Sequence, residues 1–275
     1  LQEDMDRILK YPDLFSTFYN IDPPNLGISA VYFLHRVWAT LTSLYPRTIH
    51  WYATVEEKSI WTFIAGYRQS LSIADLTRIS DFNLPIDFLL IANTFGAYAS
   101  NLFEDDLPRS NPLWSILLYE WSRAIAWMQP EGPTSRVSES TRVSVELHEA
   151  GVFVPVVNPG VEFALLEHDV STKAVLDREL ASNRHAHIFV PRGGFDYSEL
   201  EISVEMLEVL VRLAEDPNSI QELISDDLVE SLNELAAVNV MEWRRVGSLD
   251  EARNQKPPIE TNGVLSPFEM AVAPC

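Results

Sequence analysis

The chain has 275 residues, of which 47% are hydrophobic, and its 40 acidic and 20 basic side chains give a formal net charge of -20 at pH 7. This charge repels a phosphate backbone, so we expect neither nucleic acid nor an anionic membrane as a partner. The single cysteine, Cys275, excludes an internal disulfide, and no apolar run approaches the roughly 20 residues that span a bilayer, so we expect a cytoplasmic protein.

The first half of the sequence has the apolar spacing of helices, interrupted by prolines. The stretch ISAVYFLHRVWATLTSLYP predicts a helix that stops at Tyr45, because Pro46 disfavours a helical residue before it. Three further helices are predicted around Glu56 to Ser70 and in NLPIDFLLIANTFGAYASNLF and NPLWSILLYEWSRAIAWM. The last begins with Asn111 as N-cap and proline at its first position. We place a helical domain at residues 1–130.

A change of period marks the second half. Residues 129–140, QPEGPTSRVSES, have the proline, glycine and serine content of a linker. Beyond this linker, RVSVEL, VFVPVV and VEFALLEH alternate in hydrophobicity and predict short strands. Ser171 is predicted to cap a short helix. HAHIFVPRGGFDYSEL then predicts a strand, a turn at Gly193-Gly194 and a returning strand, so we interpret RGG as a hairpin turn and not as a nucleic-acid segment.

Two helices and a short strand close the second half. The helices are predicted from Val204 to Ala214 and from Ile220 to Leu235, and the strand from Val238 to Trp243. Strand, turn, helix, helix and strand in this order predict a winged-helix-like unit. The predicted fold class is therefore α+β, with an N-terminal helical bundle, a winged-helix-like α+β domain at residues 141–246 and an irregular tail at residues 247–275.

The pair His185 and His187 raises the question of a metal site. Two residues apart on a strand, both side chains point to one face. A zinc or iron site needs a third ligand, and the nearest in sequence, His168 and Asp169, precede an intervening predicted helix. We therefore expect a polar strand face and no metal or other cofactor in this chain. An independent metalloenzyme built on the two histidines remains an alternative.

Glu120 lies within the apolar stripe of its predicted helix. It could be a catalytic carboxylate, but buried carboxylates usually have a partner, so we interpret it as an anchor bonded across the bundle to a residue such as Arg36 or Arg47. The sequence contains no glycine-rich phosphate loop, nucleophile elbow or HExxH motif. Cys275 could be a reactive thiol, yet an exposed terminal residue is the simpler interpretation. No residue is assigned a catalytic role.

The winged-helix order also permits a DNA-binding or transcriptional regulatory protein, which we keep as the alternative function. From Glu199 to Glu242 there are twelve acidic residues, and the only basic one is Arg212. Helices that face phosphate need the opposite balance. Peptide or protein binding agrees better with this charge.

A family resemblance rests on two features of the sequence. The first is a set of aromatic, proline, leucine and acidic residues in the first half, and the second is the order of predicted elements in the second half. The first-half residues are Tyr32, Tyr45-Pro46, Trp61, Tyr67, Leu84-Pro85, Phe88-Leu89, Pro112 and Glu120-Trp121. In the second half, HAHIFVPRGGFDYSEL and EMLEVLVRLAEDPNSIQELI give a strand, an arginine, a turn, a leucine-rich helix and a second helix. Over residues 10 to 245 the chain resembles a bacterial family, once labelled as DNA-binding, that includes HvfC and MbnC.

The resemblance implies an accessory protein without catalysis of its own. It implies a heterodimer with a multinuclear non-heme iron oxidative enzyme that modifies cysteine in ribosomally made precursor peptides, the iron being held by that enzyme. The resemblance implies a partner protein of the kind of TglI of thiaglutamate biosynthesis. The implied role is to bind the leader of the precursor through the winged-helix-like element and to present its cysteine. Tyr45, Pro46, Glu120 and Trp121, which carry the resemblance, are given structural roles.

We predict that the leader binds as an added strand in the neighbourhood of HAHIFVPRGG, in a groove against the following helix. Ile188 and Val190 are expected to face the core. The residues predicted to contact the peptide are His185, His187, Phe189, Val204, Leu207 and Val211. An acidic protein should favour basic leader residues, so binding should weaken as salt rises.

Overall fold

The computed structural model describes residues 27–80, 86–129, 143–144, 153–170, 182–216 and 225–245. Within these ranges the chain is a mixed α+β protein, with its helices mostly in the first half, so the predicted α+β class is confirmed. The predicted short helix after residue 170, most of the linker and the tail after residue 246 lie outside the described ranges. None of the helices described is both long and apolar enough to cross a bilayer.

Thirteen elements follow one another along the described chain. The helices of the first half are α1 (Gly27–Leu44), α2 (Pro46–Thr54), α3 (Ile60–Ser70), α4 (Ile73–Ser80), α5 (Phe88–Asp106) and α6 (Pro112–Met128). The later elements are β1 (Phe153–Val157), β2 (Glu162–His168), β3 (Ser182–Pro191), β4 (Tyr197–Ile202), α7 (Val204–Glu215), α8 (Asp226–Ala237) and β5 (Met241–Arg245).

The contacts divide the described chain into two compact units. The first contains the residues up to Ala124 together with Val170, and the second contains the remainder. The division thus falls within the last turns of α6, a little before the linker at which we placed the domain boundary.

The helix boundaries follow from local chemistry. The predicted stop before Pro46 is confirmed, and the proline begins α2 at a position where its missing N–H costs nothing. The predicted Asn111 cap is also present, since Asn111 Oδ1 accepts from Leu113 N at 2.9 Å. The helices α2 and α4 were not predicted, because at nine and eight residues they are too short for the helical period to stand out.

Aromatic side chains form much of the core of the first unit. Tyr67, Phe63, Phe95 and Phe103 are fully buried, and their rings stack or meet edge to face with centroids between 5.2 and 6.2 Å apart. Trp121 is also fully buried, and its indole lies directly against the backbone of Gly96. The missing side chain at Gly96 leaves the space on α5 that the indole of α6 occupies.

Glu120 is fully buried and binds the start of α2. Its two carboxylate oxygens accept from the backbone N–H groups of Arg47 and Thr48, each at 2.9 Å. These amides belong to the first turn, where a helix has donors without an internal partner and where negative charge is favoured. The N-cap residue Tyr45 makes no side-chain cap, and its hydroxyl donates instead to Ala92 O at 2.6 Å. Glu120 therefore caps α2 from another helix.

The prediction that Glu120 is an anchor bonded across the bundle to a residue such as Arg47 is consistent with this geometry, although the group of Arg47 that donates is its backbone N–H. The two bonds come from backbone amides and not from an arginine side chain. The guanidinium of Arg47 donates to Val170 O and lies 5.7 Å from the centre of the Tyr119 ring. Burial raises the pKa of Glu120, while the two backbone bonds and the charge of Arg123 act in the opposite direction.

The second unit contains two small antiparallel sheets. β1 pairs with β5, and a three-stranded sheet has the order β2-β3-β4. The returning strand predicted after Gly193-Gly194 is β4, and both glycines adopt the positive φ that such a turn requires. The hairpin, α7, α8 and β5 follow in the predicted order, although β5 pairs with β1 and not with the hairpin.

One face of the three-stranded sheet packs against α7 and α8. Ile188 and Val190 of β3 lie in this core, as predicted, with Leu207 and Leu210 of α7 and Leu232 of α8. The alternation of β3 therefore places its other set of side chains, including both histidines, on the opposite face.

Candidate functional site

The candidate site lies on the face of the three-stranded sheet opposite to this core. We call it the histidine face and define it by His185, His187 and Phe189 of β3, Glu162 of β2, and Glu199 and Glu201 of β4. The register places Phe189 between Glu162 and Glu199, and it places His187 opposite Glu201. Residues directly opposite in an antiparallel pair project to the same side, so these groups share one surface.

Each histidine approaches a carboxylate of β4 diagonally across the hairpin. His185 Nδ1 lies 2.9 Å from Glu201 Oε1, and His187 Nδ1 lies 3.0 Å from Glu199 Oε1. The two pairs differ in burial: the side chain of His187 is 2% exposed, whereas that of Glu201 is 61% exposed. The cluster thus runs from the interior of the unit to its surface.

Glu199 and Glu201 were not assigned to the site from sequence, although the signal was present. His187 and Glu201 lie at equal distances in sequence on either side of Gly194. In a hairpin that turns at Gly193-Gly194, such residues face one another. Counting outward from the predicted turn would have identified the carboxylates.

Three of the six residues predicted to contact the peptide are buried in the structure. His187, Phe189 and Leu207 are at most 2% exposed and offer almost no surface to a peptide, because the first two belong to the inner part of the histidine face and Leu207 to the core. The remaining predicted contacts, Val204 and Val211 of α7 and His185 of β3, are half-buried.

β3 is the central strand of its sheet. Both of its sides are paired, one with β2 and one with β4, so a leader cannot add directly beside HAHIFVPRGG. Strand addition in this neighbourhood therefore requires the outer side of β2 or β4.

The outer side of β4 has main-chain groups directed away from the sheet. Arg192 N donates to Asp196 O at 2.9 Å, which makes this a hydrogen-bonded pair. Bonded and non-bonded pairs alternate along an antiparallel ladder, so Glu199 and Glu201 belong to non-bonded pairs and direct their N–H and C=O groups outward. Among the residues that the structure describes, no strand pairs with this side of β4.

In the folded chain a third candidate ligand, Glu201, lies beside the two histidines. Ligand atoms of His185, His187 and Glu201 all lie within 4.8 Å of one another. The sequence candidate His168 instead pairs with Ser182, toward the other end of β3 from the turn. The folded chain therefore brings to the two histidines a carboxylate that their distance in sequence did not indicate.

Glu162, on the histidine face, should make the stability of the second unit depend on pH. Burial raises its pKa to about 8 from an ordinary value of 4.5. A raised pKa means that the folded state prefers the protonated acid, so this stabilisation is complete below the unfolded pKa and is lost as pH rises through about 8.

Glu162→Gln should therefore unfold much like the parent at pH 5 and be more stable than the parent at pH 9. We expect a difference of about 2 kcal/mol at the higher pH, less than half of the full pKa conversion, because the residue is only half-buried. Urea denaturation at both pH values measures it. Glu167→Gln, an exposed position of the same strand, is the control. Equal stability of the Glu162 variant and the parent at pH 9 would show that the pKa of Glu162 is not raised in the folded protein.

A scan of protein-family models matched none of them to this chain, and a search of curated proteins gave no match either.

Proposed function

We propose that this chain is a non-catalytic partner subunit that binds the leader of a ribosomally synthesised precursor peptide. In this proposal it forms a heterodimer with a non-heme iron oxidative enzyme and presents the cysteine of the precursor to it, as the resemblance to the HvfC and MbnC family implies. The iron belongs to the partner enzyme. The leader adds as a strand along the outer side of β4.

The observation that carries this proposal is that β4 directs main-chain N–H and C=O groups away from the sheet on its outer side. The outward N–H and C=O groups of Glu199 and Glu201 are what an added strand requires, since main-chain bonds give such complexes their affinity. Half-buried apolar side chains of β4 and of α7, the helix that follows it in the chain, form what we call the apolar flank and would contact alternate residues of the leader. They are Leu200 and Ile202 of β4 and Val204, Met206 and Val209 of α7.

The charge of the second unit supports a peptide over DNA. α7 carries Glu205, Glu208 and Glu215 against a single Arg212, and α8 carries four acidic residues and no basic one. A helix of this charge would be repelled by phosphate. A strand edge beside an apolar flank binds peptide whatever the net charge, and the acidic field favours a basic leader.

The experiment compares Glu201→Pro with Glu201→Ala. Proline removes the outward N–H and keeps the inward ladder, which edge strands tolerate, whereas alanine removes only the exposed side chain. A synthetic leader of the precursor encoded beside this chain is titrated calorimetrically in chelator-containing buffer. We expect Glu201→Pro to bind at least tenfold more weakly than the parent, Glu201→Ala to bind within about twofold, and parent affinity to fall as salt rises.

Val204→Asp is the second variant, because an acidic residue in the first turn of α7 is compatible with the helix while it removes an apolar contact of the flank. It should also weaken leader binding. If both Glu201→Pro and Val204→Asp fold and bind the leader like the parent, the leader does not use the outer side of β4. Co-purification with the iron-containing product of an adjacent gene tests the heterodimer separately.

A further inference from the structure

We infer that His185, His187 and Glu201 bind one divalent ion of a first-row transition metal, such as zinc. Two imidazoles and a carboxylate are ligands that these ions accept, and their ligand atoms already lie within 4.8 Å of one another. Bonds of about 2 Å from one ion place neighbouring ligand atoms about 3 Å apart. His185 Nδ1 and Glu201 Oε1 are 2.9 Å apart, so this pair has the required spacing.

Glu199 adds a feature common to metal-binding histidines. A ligating imidazole usually donates its other ring N–H to a carboxylate, which fixes its orientation. Glu199 Oε1 lies 3.0 Å from His187 Nδ1, close enough to take this role after a small rotation of the ring. In the metal-bound protein Glu199 would then fix the orientation of the His187 imidazole.

The burial gradient of the cluster suits an ion that enters from solvent. His187 is almost fully buried, His185 is 21% exposed and Glu201 is 61% exposed. The ion would reach the buried imidazole past Glu201 and complete its coordination with water. A net charge of -20 also favours a cation over an anion at this surface.

Metal binding would link two strands of the hairpin. Both histidines lie on β3 and Glu201 lies on β4, so the ion would fix β4 against β3. The expected consequence is a more stable second unit in the metal-bound protein, because a ligand that binds only the folded state stabilises it. This inference does not depend on leader binding and goes beyond the proposed function.

The test uses the full chain with Cys275→Ser, which removes the one thiol that could bind zinc. The protein is stripped with chelator, dialysed and titrated with Zn²⁺ by calorimetry and with Co²⁺ by visible absorbance. We expect one equivalent of each ion to bind, and Zn²⁺ to raise Tm. Affinity should fall at least tenfold in His185→Gln and in Glu201→Gln, both at accessible positions where misfolding is not expected.

His50→Gln and Glu208→Gln, at exposed positions outside the cluster, are the matched controls and should bind both ions like the parent. The inference is overturned if the parent binds no stoichiometric ion, or if both cluster variants retain its affinity. In either case the two His–Glu contacts serve the hairpin without a metal. Because leader binding is measured in chelator, its success or failure is independent of this result.

Discussion

Glu120→Ala should lower the free energy of unfolding by roughly 2–6 kcal/mol, since one buried and one part-buried donor lose their acceptor, at about 1–3 kcal/mol each. The variant leaves the backbone N–H groups of Arg47 and Thr48 without their acceptor at the start of α2. With Glu120 fully buried, water cannot readily replace the carboxylate. Urea denaturation followed by circular dichroism measures the loss.

Glu120→Gln separates the contribution of the hydrogen bonds to stability from that of side-chain packing. Glutamine keeps the shape and one acceptor, but its amide NH₂ faces the second N–H, so about half of the loss should remain. Glu208→Ala on the exposed side of α7 controls for removal of a carboxylate and should leave stability nearly unchanged. If Glu120→Ala melts like the parent yet abolishes product formation with the enzyme, Glu120 has a chemical role and the anchor assignment fails.

Gly96→Ala should destabilise the first unit by about 3 kcal/mol, because overpacking a rigid core costs this much. A Cβ at Gly96 would lie 2.3–2.8 Å from three atoms of the Trp121 indole, closer than such atoms approach. Trp121 is fully buried between its neighbours and cannot move aside freely. The clash outweighs the gain of about 1 kcal/mol that alanine brings to a helix interior. Thermal and urea unfolding measure the net effect.

Gly66→Ala is the matched control, also a glycine within a helix. There the new Cβ would meet Tyr98 Oη at 2.1 Å, but this is the far end of a half-buried side chain that can turn away. We expect a clearly smaller loss. Gly96→Ala should cost less stability when it is added to Trp121→Phe than when it is added to the parent, because the smaller ring leaves room for the new Cβ. A Gly96→Ala protein as stable as the parent would mean that the Trp121 indole does not lie against Gly96.

The sequence by itself determined those features that depend on one element and its neighbours in the chain. The helical period located α1, α5 and α6, and Pro46 located the break after α1, since proline acts on the residue before it. Alternation in β3 assigned Ile188 and Val190 to the core. The apolar stripe around Glu120 indicated that this carboxylate is buried and bonded. Each of these signals is local.

Tertiary structure alone decided which distant groups meet. Glu120 bonds amides more than 70 residues away, and no periodicity specifies which helix end lies opposite a given side chain. β3 became a central strand because β2, which is separated from it along the chain, pairs with its second side. That pairing, with burial of His187 and Phe189, moved the proposed leader site to β4. The meeting of His185, His187 and Glu201 depends on hairpin register, a property of two strands together and not of either alone.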